Sequence, residues 1–482
     1  METSAANTTE SGGDLLQRQY WDLNYISGPL VYLGEGSRFA TGAILDLIQE
    51  NGETRQGQVL EANKNHAVVQ VLQGTQGLDI KGTSVALREA SARMGCSKDL
   101  IGRRFNGTGQ PIDGLPPVVP DKEMDISGAA INPVSRDAPK DFIETGISSI
   151  DAFNTLVRGQ KLPIFFGSGM PANQVANLIV QQASTKSDSE EFVVIFGAMG
   201  ITEREAAYFL RSFDEGGQGS RVVAFINKAD DPAIERLFTP RCALTVAEYL
   251  AFEHDYQVLV ILTDMTNYCE ALREIASARE EIPGRRGYPG YMYTDLASIY
   301  ERAGRVRGKP GSVTQIPMLS MPDDDMTHPI PDLTGYITEG QIVLNRALHR
   351  QGVFPPVDIL PSLSRLMNNG IGKGLTRADH RELANQLYAS YAHGRDIRKL
   401  MSIVGEDALS ELDRKYLSFT DNFEREMIGQ GATRRGIEDS LELGWQLLTV
   451  IPKEELTRIN KDLVDRYYNA MMEDGVQSPY LE

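Results

Sequence analysis

Four unbroken apolar runs in the middle of the chain restrict its fold more than any other feature. They are Leu162-Pro163-Ile164-Phe165-Phe166, Phe192-Val193-Val194-Ile195-Phe196, Val222-Val223-Ala224-Phe225-Ile226 and Val258-Leu259-Val260-Ile261-Leu262. None alternates with polar residues, and helical stretches lie between them. Strands of this kind are buried on both faces, which argues for a parallel sheet covered by helices. The flanks read differently. From about Asn24 to Glu89, short apolar runs (25–33, 43–47 and 66–72) alternate with turn signals, the spacing of a small closed β-barrel. A Gly- and Pro-rich connector, 106–114, follows. From about Met367 the pattern is helical. Leu383, Leu387 and Tyr391 mark one helix face, and Leu456, Ile459, Leu463 and Tyr467 mark another, both read as core packing. The expected fold class is multidomain α/β. A polar tail, 1–13, precedes an N-terminal β-barrel (14–89), a nucleotide-type α/β domain (90–366) and a C-terminal helical domain (367–482). The tail is expected to be disordered.

Composition narrows the function. The net charge of -18 makes nucleic acid an unexpected partner, because no general phosphate-neutralising surface is available. No apolar run approaches the roughly 18 residues needed to span a bilayer, and no charged-then-apolar secretory signal opens the chain. Cys96, Cys242 and Cys269 lack metal-type spacing and fit burial in a reducing compartment; no metal site is expected.

The first apolar run leads into Gly167-Ser168-Gly169-Met170-Pro171-Ala172-Asn173-Gln174 and then a helix-like stretch, 175–183. Strand, Gly-containing loop and helix form the frame of a nucleoside-triphosphate site, whose usual pattern is Gly, four residues, Gly, Lys, then Ser or Thr. Here Ala172 stands for the second Gly, Asn173 for the Lys and Gln174 for the hydroxyl residue. No ammonium is left for the β- and γ-phosphates and no hydroxyl for magnesium. Taken alone, the segment reads more simply as an ordinary tight turn than as a relic nucleotide site. Gly167, Ser168, Gly169, Asn173 and Gln174 are the candidate residues of a degenerate nucleotide site, with backbone N–H groups at the helix start as its remaining anion-binding feature.

Four further residues bear on that chemistry. Asp264 ends the fourth run, where many nucleotide sites hold magnesium through water; an Asp helix cap is the plainer reading. Glu203 and Glu205 follow the second run and read as N-terminal charges facing a helix dipole. Arg365, in Pro361-Ser362-Leu363-Ser364-Arg365, reads without context as a surface arginine after a strand.

Longer segments give the context. They include 102–107, 145–147 with 156–163, 234–236 with 239–241, Glu280 to Tyr291, and His328 to Tyr336. With them the chain resembles the B subunits of V-type (archaeal and bacterial A/V-type) rotary ATPases, from about Tyr20 to the C-terminal helices. The resemblance implies a β-barrel, a RecA-like P-loop-type domain and a helical domain. It implies a regulatory subunit, not an enzyme on its own, that alternates with catalytic A subunits in a ring of three pairs. ATP turnover there is coupled to proton, sometimes sodium, transport. Arg365 falls at the family's arginine finger, which reaches the neighbouring catalytic site. ATP or ADP with magnesium is expected at that interface, and none bound firmly by this chain. Ile201 falls where a hydrolytic site carries its water-orienting carboxylate. Asp323, Asp324, Asp325 and Thr327 fall in the loop that faces the central shaft, and the 284–290 loop is expected to turn inward too. Peripheral-stalk subunits are expected at the barrel, with the membrane sector reached indirectly and the complex on the cytoplasmic face of the cell membrane. Rival readings are a self-sufficient ATPase, a RecA-like partner-binding module and a hexameric nucleic-acid motor.

Overall fold

The computed structural model describes residues 19–473 apart from 22, 35–37, 90, 187–189 and 218. The tail 1–13 lies outside the described residues.

The N-terminal region is one antiparallel seven-stranded sheet. Its two end strands, Gln19–Tyr20 and Leu23–Ser27, are nearly consecutive in the chain, so the sheet curls back on itself. Val31, Leu45, Leu47, Val59, Val69, Val71 and Val85 fill its interior. The run 25–33 is not one strand. It breaks into a hairpin at Gly28-Pro29, because Pro29 has no N–H to give the ladder. The strands Thr54–Ala62 and Thr83–Glu89 are polar enough to escape an apolar-run reading.

The central sheet carries the site. Its principal strands are β1 (Ile164–Gly167), β2 (Phe192–Ile201), β3 (Val222–Lys228), β4 (Gln257–Thr263), β5 (Ser312–Met321), β6 (Gly340–Leu344) and β7 (Val357–Ser364). They lie in the order β7-β6-β1-β5-β4-β2-β3, with Arg104–Asn106 at the far edge. Every pair from β6 to Arg104–Asn106 is parallel, and β7 alone on this path runs antiparallel, against β6. Helices Ala172–Gln182, Glu203–Glu215, Ala233–His254 and Met265–Ala278 connect or cover the parallel strands. Val193 to Phe196 and Val258 to Leu262 are fully buried, as their unbroken apolar pattern requires. β5, at the centre of the sheet, is the strand that the pattern hides. Pro317 interrupts it and Ser312, Thr314 and Gln315 dilute it, yet all four residues are buried in the sheet.

The C-terminal region packs helices His380–Val404, Glu411–Asn422 (continuing through a wide turn, 423–428), Ile437–Leu448 and Lys461–Glu473. Leu383, Leu387 and Tyr391 face its core. Leu456 to Tyr467 is not one helix face. The Asn460 side chain accepts from Asp462 N and starts the last helix there, so Leu456 and Ile459 are buried from the preceding turns. Many contacts tie this region to the rest, two of them through buried or half-buried side-chain amide and imidazole groups. His380 Nε2 donates to Ala152 O at 3.0 Å, and Gln430 Nε2 donates to Gly146 O at 2.8 Å. Among the described residues no helix is long and apolar enough to cross a membrane.

Candidate functional site

β1 ends at Gly167 and the chain turns through Ser168 and Gly169, both exposed, into helix Ala172–Gln182. The apolar loop residues Met170 and Ala172 anchor the turn in the core. Asn173, at the usual lysine position, points its amide inward and donates to Glu205 Oε1 at 2.8 Å. Glu205 Oε2 accepts from Thr202 N and Thr202 Oγ1, closing the cap of helix Glu203–Glu215. The two positions that would supply a cation and a nearby acid are therefore joined in a neutral-to-charged structural hydrogen bond. Ile201 packs among the apolar residues beneath the loop and is 4% exposed. The position expected to lack a water-orienting carboxylate is part of the core.

The remaining groups do not fit a magnesium nucleotide at this loop. Gln174 is exposed and carries no hydroxyl. Asp264 Oδ1 accepts from Thr266 N at 2.8 Å and Ser320 N at 3.0 Å, capping helix Met265–Ala278 and pinning it to β5. Burial pushes its carboxyl above the usual range, which disfavours the anion a metal would need.

Arg346, which no sequence signal singled out, lies across the loop. It donates from Nη2 to Ser168 O at 2.9 Å and forks onto Asp324 at 2.8 and 2.9 Å. The arginine holds the Asp324 carboxyl below its ordinary value. The fit against Gly167 is close: a Cβ there would sit 1.7 Å from Asp324 Oδ1, so a side chain at this position would displace the Asp324–Arg346 pair.

The acid loop lies on the same edge of the sheet, since Met321 of β5 is level with Gly167. Its three acids differ. Asp323 is exposed and Asp324 is engaged with Arg346. Asp325 accepts from Thr327 N and Oγ1 and pairs with Arg286. Arg285 pairs with Asp332 on the helix Pro329–Ile337 that follows and donates to Thr327 O at 3.1 Å, so the 284–290 loop and the acid loop are joined by one ion pair, Arg286–Asp325, and this hydrogen bond. Thr327 itself is exposed.

Arg365 stands on the opposite edge. β7 runs antiparallel to β6, and its last residue, Ser364, is paired with Gly340 at the start of β6. Ile342 is level with Ile164, so Gly340 is level with Leu162. Gly167 lies five residues farther along, roughly 17 Å at a strand's rise per residue. Arg365 cannot serve its own loop. It is exposed. Its backbone N–H donates to Glu339 O at 2.9 Å, and its one side-chain hydrogen bond among the described residues runs from Nη1 to Thr338 O at 2.9 Å.

Known proteins share this arrangement of domains. Residues 25–87 match the ATP synthase alpha/beta family, beta-barrel domain; 146–364 match its nucleotide-binding domain; 369–468 match the C-terminal domain of V and A type ATP synthase. Two relatives, each a "V-type ATP synthase beta chain" and drawn from two strains of Thermus thermophilus, are 62% identical over 468 residues, covering 96% of this chain and 98% of theirs. This chain belongs to the V-type ATP synthase beta-chain family. A solved structure described as "a unique ATP synthase subunit NeqB from Nanoarcheaum equitans" is also similar. It is 40% identical with a TM-score of 0.68, covering 84% of this chain and 98% of that one. A V-type ATP synthase beta chain is a subunit of a rotary ATP synthase, and the barrel, nucleotide-binding and C-terminal domains of the family account for all three regions read from the sequence.

Proposed function

We propose that this beta chain is a non-catalytic subunit that completes a catalytic site on a neighbouring subunit with Arg365. The observation that carries the reading is the separation of the two edges: a phosphate-type loop without its cation on one, and an exposed arginine without a carboxylate partner among the described residues on the other. A guanidinium is permanently charged and presents a planar fork to phosphate oxygens. An arginine supplied in trans stabilises charge on the transferring phosphoryl group by roughly a thousandfold or more in rate, about 4 kcal/mol of barrier. The partner is then a catalytic A subunit alternating with this chain in a ring of three pairs, with ATP or ADP and magnesium held chiefly by that partner. The acid loop faces a central shaft, the barrel meets peripheral-stalk subunits, and turnover drives or is driven by proton transport. The complex sits on the cytoplasmic face of the cell membrane.

The test is Arg365→Ala in the assembled ring. Assembly stays intact and ATP turnover falls about a thousandfold. Arg365→Lys keeps the charge but loses the fork, and recovers only part of the rate. Unchanged turnover in an assembled Arg365→Ala ring refutes the assignment.

A further inference from the structure

The base of Arg365 rests on a buried polar assembly built from the segment that leads into β1. Gln160 is fully buried and its Nε2 reaches both neighbours of the arginine. It donates to Ser364 Oγ at 2.9 Å and to Glu339 O at 3.3 Å, the same carbonyl that accepts from Arg365 N. Gln160 Oε1 is itself fixed, accepting from Val157 N at 2.9 Å. Next in sequence, Lys161 is 3% exposed. Its Nζ lies between Glu339 Oε1 at 2.9 Å and Glu301 Oε1 at 2.8 Å. Its backbone N–H donates to Glu339 Oε2 at 2.8 Å, and its carbonyl accepts from Glu339 N at 3.1 Å. Glu301 is held in turn by Arg136 at 3.2 Å.

A buried ammonium costs several kcal/mol in desolvation and persists where its partners are well placed. Here the pair fixes one residue, Glu339, whose neighbour Thr338 and whose own carbonyl are the two acceptors that hold Arg365. A flexible arginine reaching across an interface is effective only if its root is fixed, because an ångström of misplacement costs on the order of a hundredfold. We propose that Gln160 and the Lys161–Glu339 ion pair are positioning residues for Arg365, so that one short segment carries the idle phosphate loop at one end and the seat of the trans-acting arginine at the other. The inference rests on the proposed role of Arg365.

Rings assembled from this chain and its catalytic partner test it. Gln160→Met keeps the side-chain size and removes the amide. The double variant Lys161→Met/Glu339→Gln removes both charges of the pair at once and leaves Glu301 with Arg136. Either variant lowers kcat about a hundredfold with KM for ATP unchanged. Neither lowers the residual rate of an Arg365→Ala ring any further. An equal fold-loss in the Arg365→Ala background assigns these residues a general structural role and overturns the proposal, as does a wild-type kcat in either assembled variant. If one variant fails to assemble, the other is read in its place. Arg365→Ala rings that turn over normally overturn the arginine assignment itself, a separate failure visible before any other variant is made.

Discussion

On the proposed reading, Asn173 and Ile201 are independent losses, either of which is enough to disable the loop of this chain. Asn173 removes the ammonium, and its amide is engaged by Glu205. Ile201 removes the carboxylate and fills its place with buried apolar volume. Restoring the loop motif is therefore insufficient: Asn173→Lys with Gln174→Thr leaves ATP hydrolysis by the isolated chain at background, and turnover well above background would show that Ile201 is no obstacle. The losses at the loop were legible in the sequence because a motif has fixed offsets, and the substituted side chains name the missing chemistry directly. Partners were not legible. Asn173 meets Glu205, and Arg346 crosses from after β6 to Ser168 and Asp324, 178 and 22 residues away along the chain. Arg365 was visible as an arginine after a strand. Its seat was not, although Gln160 and Lys161 lie inside one of the segments that carried the family resemblance.

Among the elements, β6 and β7 carry the proposed arginine, and their approach depends on Gly340. Its φ is +136°, and a Cβ would stand 1.9 Å from Leu363 O. Gly340→Ala pushes β7 away, carrying Arg365 with it. The expected result is a fall in ring turnover larger than the fall in thermal midpoint explains; a stable, fully active Gly340→Ala ring contradicts it. The first residue of helix His380–Val404 sets a pH dependence. His380 is fully buried between Ala152 O and Thr376 Oγ1. Burial lowers its pKa from the usual 6.5 to about 4. Because the folded value is depressed, the unfolded chain takes up the proton first. The stability linked to this group is complete above about 6.5 and declines as pH falls towards 4, by up to about 3 kcal/mol. His380→Gln removes that slope, so the thermal midpoint between pH 7.5 and 5 falls less steeply than in the parent. Equal slopes contradict it. Elements with an unbroken apolar run or a clean helical period were legible from sequence: β2, β3 and β4 in the first way, the 383–391 helix face in the second. β5 was hidden by Pro317 and its polar neighbours, and the helix ending at Glu473 was extended too far upstream because buried turn residues kept the helical spacing.

At the scale of the whole molecule, one sheet holds a phosphate-type edge and an arginine edge facing opposite ways. On the proposed reading, a chain built like this contributes its arginine edge to a neighbour's site. Three regions with distinct patterning were legible because each has its own hydrophobic period. The opposition of the edges was not, since it follows from the antiparallel reversal of β7 against β6, which no local pattern encodes. The most direct measurement is ATP hydrolysis by the purified chain alone and at increasing ratios to its catalytic partner, using wild type and Arg365→Ala in parallel. The chain alone is expected to stay at background. Turnover then rises to a plateau at equal amounts of the two subunits, and that plateau is about a thousandfold lower with Arg365→Ala although rings still form. Turnover by the purified chain alone, or an Arg365→Ala plateau equal to wild type, would contradict a subunit that lends its arginine to a neighbour's site.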